Sequence, residues 1–203
     1  MANVSKISGL APVQYLNGSP WNGQAREYYI PSTDTKAYAI GDPVDLAGGA
    51  DTKGVPSVTL ATAGNNSGAN KLLGAIVGAG GAVYGATLGN ANNQNTIVVP
   101  ATKTQNYYVL VADDPNIMFE MQEGGTGTAL AATEVGLNCD LASGTNNGYV
   151  SGWVIDNAAT STSANFQLRL WGLTQKSDNA FGTYAKWLVS INNHRRAAGV
   201  AGV

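Results

Sequence analysis

The chain has 203 residues, enough for one domain with a sizeable core, and its 12% of charged residues is about half of the roughly 25% in an average soluble protein. A formal net charge of −2 gives no broad attraction to nucleic acid or anionic lipid, and no stretch approaches the roughly 20 apolar residues of a bilayer-spanning helix. With one cysteine and one histidine, an internal disulfide, a cysteine-based zinc site and a multi-histidine metal centre are excluded, and a histidine-dependent triad would have only His194 to use.

The beginning, Met1-Ala2-Asn3-Val4-Ser5-Lys6, lacks the charged-then-apolar layout of a secretory leader, because Gly9, Pro12, Gln14, Asn17 and Gly18 interrupt any such run. Residues 10–32 mix Pro12, Pro20 and Pro31 with Tyr15, Leu16, Trp21, Tyr28, Tyr29 and Ile30. Proline disfavours helix, and the aromatic rings need a surface to bury against. Residues 1–32 are therefore expected to form an extended N-terminal arm, packed on its own barrel or on another subunit.

Short apolar runs follow at 37–40 (AYAI), 57–60 (SVTL), 72–77 (LLGAIV), 96–99 (TIVV), 107–112 (YYVLVA), 117–122 (IMFEMQ), 152–156 (GWVID) and 166–171 (FQLRLW). Each is bounded by Gly, Pro, Asn or Asp and most are rich in β-branched or aromatic residues, which is the signature of strands. The alternation of Phe166, Leu168 and Leu170 with Gln167 and Arg169 predicts one buried and one polar sheet face. Repeated short strands between turn-rich segments predict a mainly β fold: a small antiparallel β-barrel or sandwich with little helix, spanning 33–193.

Residues 62–70, 89–95 and 143–148 lack apolar periodicity and read as solvated loops. Residues 129–132 (ALAA) allow a single helical turn, and 180–189 could be helix, although Trp187-Leu188-Val189-Ser190-Ile191 reads equally as a strand. Residues 194–203 are small after His194-Arg195-Arg196 and are expected to be a flexible C-terminal tail.

Candidate chemistry is sparse. The glycines at 78–85 miss the spacing of a dinucleotide-binding turn, and Gly124-Gly125-Thr126-Gly127-Thr128 lacks a phosphate-reaching lysine. Asp113-Asp114-Pro115-Asn116 reads as a turn more readily than as a cation site, while Glu134 and Asp140 stand alone. A hydrolase using Asp113 or Glu120 would lack a supporting base or metal. No catalytic, cofactor-binding or metal-binding residue is assigned. Cys139 reads as a small buried residue, Trp153 and Trp171 as core, and Trp21 and Trp187 as interface candidates.

The segments 10–24 (LAPVQYLNGSPWNGQ), 40–44 (IGDPV), 111–115 (VADDP) and 187–194 (WLVSINNH) resemble those of structural proteins of tailed bacteriophages, most nearly capsid decoration, or cement, proteins. That resemblance implies a non-enzymatic virion protein, made in the host bacterial cytoplasm, on the outer capsid surface of an icosahedral head. There it would be a homo-oligomer, dimer or trimer, with the major capsid protein as partner and no nucleic acid or membrane involved. Tyr15, Trp21, Tyr28, Tyr29 and Trp187 are then the capsid-interface candidates. The alternative is a receptor- or glycan-binding tail or fibre module, with Trp and Tyr faces on the sugar.

Overall fold

Strands account for nearly all the regular structure in the computed structural model, which describes residues 3–64, 68–79, 98–125, 127–199 and 201–202. They are β1 (Ala11–Tyr15), β2 (Arg26–Ile30), β3 (Tyr38–Ala39), β4 (Pro43–Ala50), β5 (Pro56–Leu60), β6 (Gly74–Ala79), β7 (Val98–Val99), β8 (Tyr107–Ala112), β9 (Ile117–Gln122), β10 (Asn138–Ala142), β11 (Val154–Ser161), β12 (Leu168–Leu173) and β13 (Lys186–Ile191). Among the described residues a single 3-10 turn, Ala132–Glu134, follows the short alanine-rich run.

Five strands close a barrel in the order β2-β5-β4-β6-β8, and six form a sheet in the order β1-β9-β13-β12-β10-β11. The fold is thus mainly β, a barrel joined to a sheet. The barrel is filled by Tyr28, Ile30, Val44, Val58, Ile76, Val109 and Val111. A second core lies under the six-stranded sheet, where Phe119, Met121, Leu168, Leu170, Trp187 and Val189 meet Leu10, Leu72, Ala75 and Ala112. β6 and β8 serve both cores, because Ile76 and Val111 point into the barrel while Ala75 and Ala112 point the other way. Strands buried on both faces read as continuous apolar runs, which explains 72–77 and 107–112.

Residues 10–30 depart from the expected arm. β1 pairs with β9 at the sheet edge, and β2 pairs with β8 from Arg26↔Val111 to Ile30↔Tyr107 as a stave of the barrel. An edge strand tolerates Pro12, next to which a bulge lies between Pro12 and Gln14. Of the two surfaces expected for the aromatic residues, their own chain or another subunit, Tyr15, Trp21 and Tyr28 pack on their own chain. Gly9 turns the chain into β1 at a φ of 66°, where a Cβ would sit 2.2 Å from the Gly41 carbonyl oxygen. Only glycine allows that approach.

The C-terminal segment is not a free tail. Leu72 N–H donates to the Asn193 carbonyl (3.0 Å), Arg195 N–H to the Leu72 carbonyl (2.7 Å) and Gly202 N–H to the Thr162 carbonyl (2.9 Å). His194 is fully buried. Residues 186–191 resolve the helix-or-strand ambiguity as β13, paired with both β9 and β12. The expected loops at 89–95 and most of 78–85 lie outside the described residues.

Phe166, Leu168 and Leu170 are buried as their alternation predicts, yet Gln167 is buried too. Its Oε1 accepts from Leu141 N–H (3.2 Å), and its Nε2 donates to the carbonyls of Thr62 (2.9 Å) and Asn70 (3.0 Å), so it ties both ends of the 62–70 loop to the sheet. Buried polar groups stripped of partners cost about 1–3 kcal/mol each. Gln167→Leu, similar in volume, is expected to lower unfolding free energy by about 2–4 kcal/mol in urea titration; an unchanged midpoint would show the clamp to be dispensable.

Candidate functional site

Two features stand out once the fold is assembled: a charge clasp around a buried carboxylate where the C-terminal segment meets the barrel, and exposed aromatic side chains on the β12–β13 unit.

The clasp centres on Asp113, at the end of β8. Tyr28 Oη donates to Asp113 Oδ2 (2.5 Å) and accepts from Arg196 Nη2 (2.7 Å), while Arg196 Nη1 lies 2.9 Å and Arg26 Nη1 3.7 Å from the same carboxylate oxygen. Burial, then the Asp113 hydrogen bond, raises the Tyr28 phenol well above its ordinary range. Arg195 makes a second tie to Asp45. Between the two arginine contacts, His194 Nδ1 accepts from the Arg196 N–H (3.0 Å), and burial followed by the Arg196 cation lowers its pKa.

Asp113 is therefore a structural carboxylate. Asp114 and Asn116 make the turn that the sequence suggests, with Asn116 N–H donating to Asp114 Oδ1 (2.8 Å). Glu120 belongs to a different network on the outer face of the six-stranded sheet, with Lys176 Nζ at 2.6 Å and Lys186 Nζ at 3.5 Å. The two carboxylates weighed as hydrolytic candidates are thus each matched to cations of their own. Among the described residues, no group of three or more His, Cys, Asp or Glu side chains stands together as a metal site requires.

The outer sheet face is crossed at one end by the first described residues. Lys6 N–H donates to Gln122 Oε1 (2.6 Å), and Asn3 Nδ2 donates to the carbonyls of Ala180 (2.8 Å) and Thr183 (3.1 Å). The Asn3 bonds fix the loop between β12 and β13, which Asn179 also braces through Nδ2 to the carbonyls of Thr174 (2.9 Å) and Lys186 (2.7 Å). On this unit Trp171 is 44% exposed, Phe181 47% and Tyr184 36%. Trp171 Nε1 donates to Ser190 Oγ (2.9 Å), and the Arg169 guanidinium lies over its ring at 5.5 Å. Phe181 leans on the buried Trp187 with ring centroids 5.6 Å apart. Tyr184 has a φ of 66°, a left-handed conformation that costs a residue with a Cβ about 1–2 kcal/mol. Its ring lies against Gly125, where a Cβ would come within 2.5 Å of it. Below the loop, Glu123 is fully buried, accepts from Leu130 N–H (2.9 Å), and has its pKa raised by burial.

The five interface candidates separate. Tyr28 and Trp187 are buried inside their own chain, one in the barrel and one under the sheet, and present no surface to a partner. Tyr15 and Trp21 are half-buried against the sheet core, Tyr15 Oη donating to Asn22 Oδ1 (3.0 Å) and Trp21 Nε1 to the Gln24 carbonyl (3.3 Å). Tyr29 is half-buried on the barrel wall, its ring centroid 5.9 Å from that of Tyr108. Trp153 and Cys139 are buried as expected, but Trp171 is exposed rather than core. Its parity carried the signal: Trp171 shares the face of Arg169, opposite Leu168 and Leu170. Phe181 and Tyr184 had no comparable signal, because they sit in a loop whose shape depends on Asn3 and Gly125.

Comparison with family models, curated proteins and solved structures returned no match.

The clasp makes stability pH-dependent with a definite sign. A histidine whose folded pKa lies below its ordinary 6.5 leaves stability unaffected while both states are neutral, and loses it below that pH as the unfolded chain takes up the proton first. Protonated Nδ1 also can no longer accept from Arg196 N–H. Urea midpoints are expected to fall between about pH 7 and about pH 5.5, and the fall to be smaller in His194→Gln. Equal falls in both proteins would place the acid sensitivity elsewhere.

Proposed function

We propose that this chain is a non-enzymatic virion protein that binds the outer surface of an icosahedral phage head and cements neighbouring major capsid subunits. The observation that carries this reading is that β12, β13 and the braced loop between them expose three large aromatic side chains, Trp171, Phe181 and Tyr184. Exposed aromatic side chains on rigid backbone are well suited to an interface, since they bury large area and lose little entropy on binding. The likeness of several segments to tailed-phage structural proteins supports the partner.

The mechanism differs from that of a free arm. Residues 11–30 are already committed to the chain's own sheets, so adhesion falls to a preformed surface and needs little ordering on binding. Self-association into a dimer or trimer would let several such surfaces act together, raising avidity over the affinity of one. Binding only the assembled shell stabilises it by mass action.

A receptor- or glycan-binding role draws support from Tyr149, which is 66% exposed beside Asn146 and Asn147. Asn147 Oδ1 accepts from the N–H groups of Tyr149 and Val150 (both 3.0 Å), which holds the ring out as a platform for a sugar face.

The two readings separate in one set of measurements. Trp171→Ala, Phe181→Ala and Tyr184→Ala are each expected to weaken binding to purified expanded heads by about 1–3 kcal/mol while each variant still unfolds in one cooperative urea transition. Tyr149→Ala should leave head binding intact. Full head binding by all three variants, or reproducible glycan-array signal lost on Tyr149→Ala, would overturn the cement reading.

A further inference from the structure

Three Asn-Gly pairs lie in exposed turns, Asn17-Gly18, Asn22-Gly23 and Asn147-Gly148, and their hydrogen bonding divides them. In such a pair the glycine nitrogen can attack the preceding side-chain amide, provided that its proton is free to leave and the amide carbonyl is polarised. Glycine favours the step because no Cβ obstructs the approach.

The carbonyls do not distinguish the three sites. Asn17 Oδ1 accepts from Ser19 N–H (3.0 Å) and Ser19 Oγ (2.7 Å). Asn147 Oδ1 accepts from two backbone N–H groups, and Asn22 Oδ1 accepts from Gln24 N–H (3.1 Å) and Tyr15 Oη (3.0 Å). A backbone N–H only donates, so these contacts identify the oxygen at all three asparagines. Each amide thus has two donors where negative charge would develop, the arrangement that stabilises a tetrahedral oxyanion.

The nucleophiles do distinguish them. Gly18 N–H is held by the Tyr15 carbonyl (2.9 Å) and Gly148 N–H by Asn146 Oδ1 (3.2 Å), whereas Gly23 N–H donates no hydrogen bond to any of the described residues. All three glycines stand in open space, with nothing within 4 Å of where a Cβ would be, so the amide proton alone sets Gly23 apart.

We infer that Asn22 is a site of spontaneous self-modification, converting to aspartate and isoaspartate in the folded protein ahead of Asn17 and Asn147. Solvent base removes the Gly23 amide proton, the nitrogen bonds to Asn22 Cγ, and the Cγ–Nδ2 bond breaks as ammonia leaves with a proton from water. Water then opens the cyclic imide at either carbonyl, giving aspartate or isoaspartate without any change of oxidation state. The product adds one negative charge to the β1–β2 connection beside Tyr15 and Trp21, and isoaspartate lengthens its backbone by one methylene.

The test is to hold the folded full-length chain in mildly alkaline buffer and follow the three peptides by mass spectrometry, with isoaspartate scored by enzymatic methylation. In the folded state the peptide containing Asn22 is expected to gain one mass unit several-fold faster than the other two. In denaturant, where all three glycine N–H groups are solvated, the three rates should converge. Equal rates in the folded protein, or faster conversion at Asn17 or Asn147, would overturn the inference, as would an Asn22 advantage that persists unchanged in denaturant.

Discussion

Because Ile76 and Val111 fill the barrel while Ala75 and Ala112, one residue along the same strands, fill the core beneath the six-stranded sheet, neither half of the molecule can be separated without exposing the other. Apolar burial contributes about 25 cal/mol per Å², so a wall with two buried faces concentrates stabilisation in β6 and β8. β2 and β9 depend directly on this wall or on its neighbours: β2 pairs along β8, and β9 supplies Phe119 and Met121 to the core that Ala75 and Ala112 close.

Polar contacts finish what the apolar wall begins. Gln167 ties Thr62 and Asn70 to the sheet, and the Asp113–Tyr28–Arg196 cluster seals the C-terminal segment against the end of the barrel. Such contacts add little net energy compared with apolar burial, but they are costly to leave unmade, so they select one arrangement of the ends. A chain with few charges places several of them in these ties.

The proposed adhesive role follows from rigidity. The loop bearing Phe181 and Tyr184 is braced by Asn3 and Asn179, and it holds Tyr184 in a left-handed conformation that an unsupported loop would relax. Strain held at an exposed aromatic residue marks a surface whose shape is maintained by its surroundings. The segment expected to form an extended N-terminal arm supplies one of these braces, through Asn3.

The strands at 107–112 and 117–122 were legible from residue order alone, as was the inward set Phe166, Leu168 and Leu170, because steric preference and period-two alternation act locally. Trp171 was legible by the same parity, though its aromatic character argued for the core. What tertiary structure alone decided was which surface satisfied each sticky or charged group. The rings of residues 10–30 and the His194-Arg195-Arg196 cluster look unpartnered along the chain, and only the closing of β2 onto β8 and the approach of Asp113 and Asp45 bring their partners within reach. Local pattern specifies the direction in which a side chain points; what it meets there depends on contacts between residues far apart in the chain.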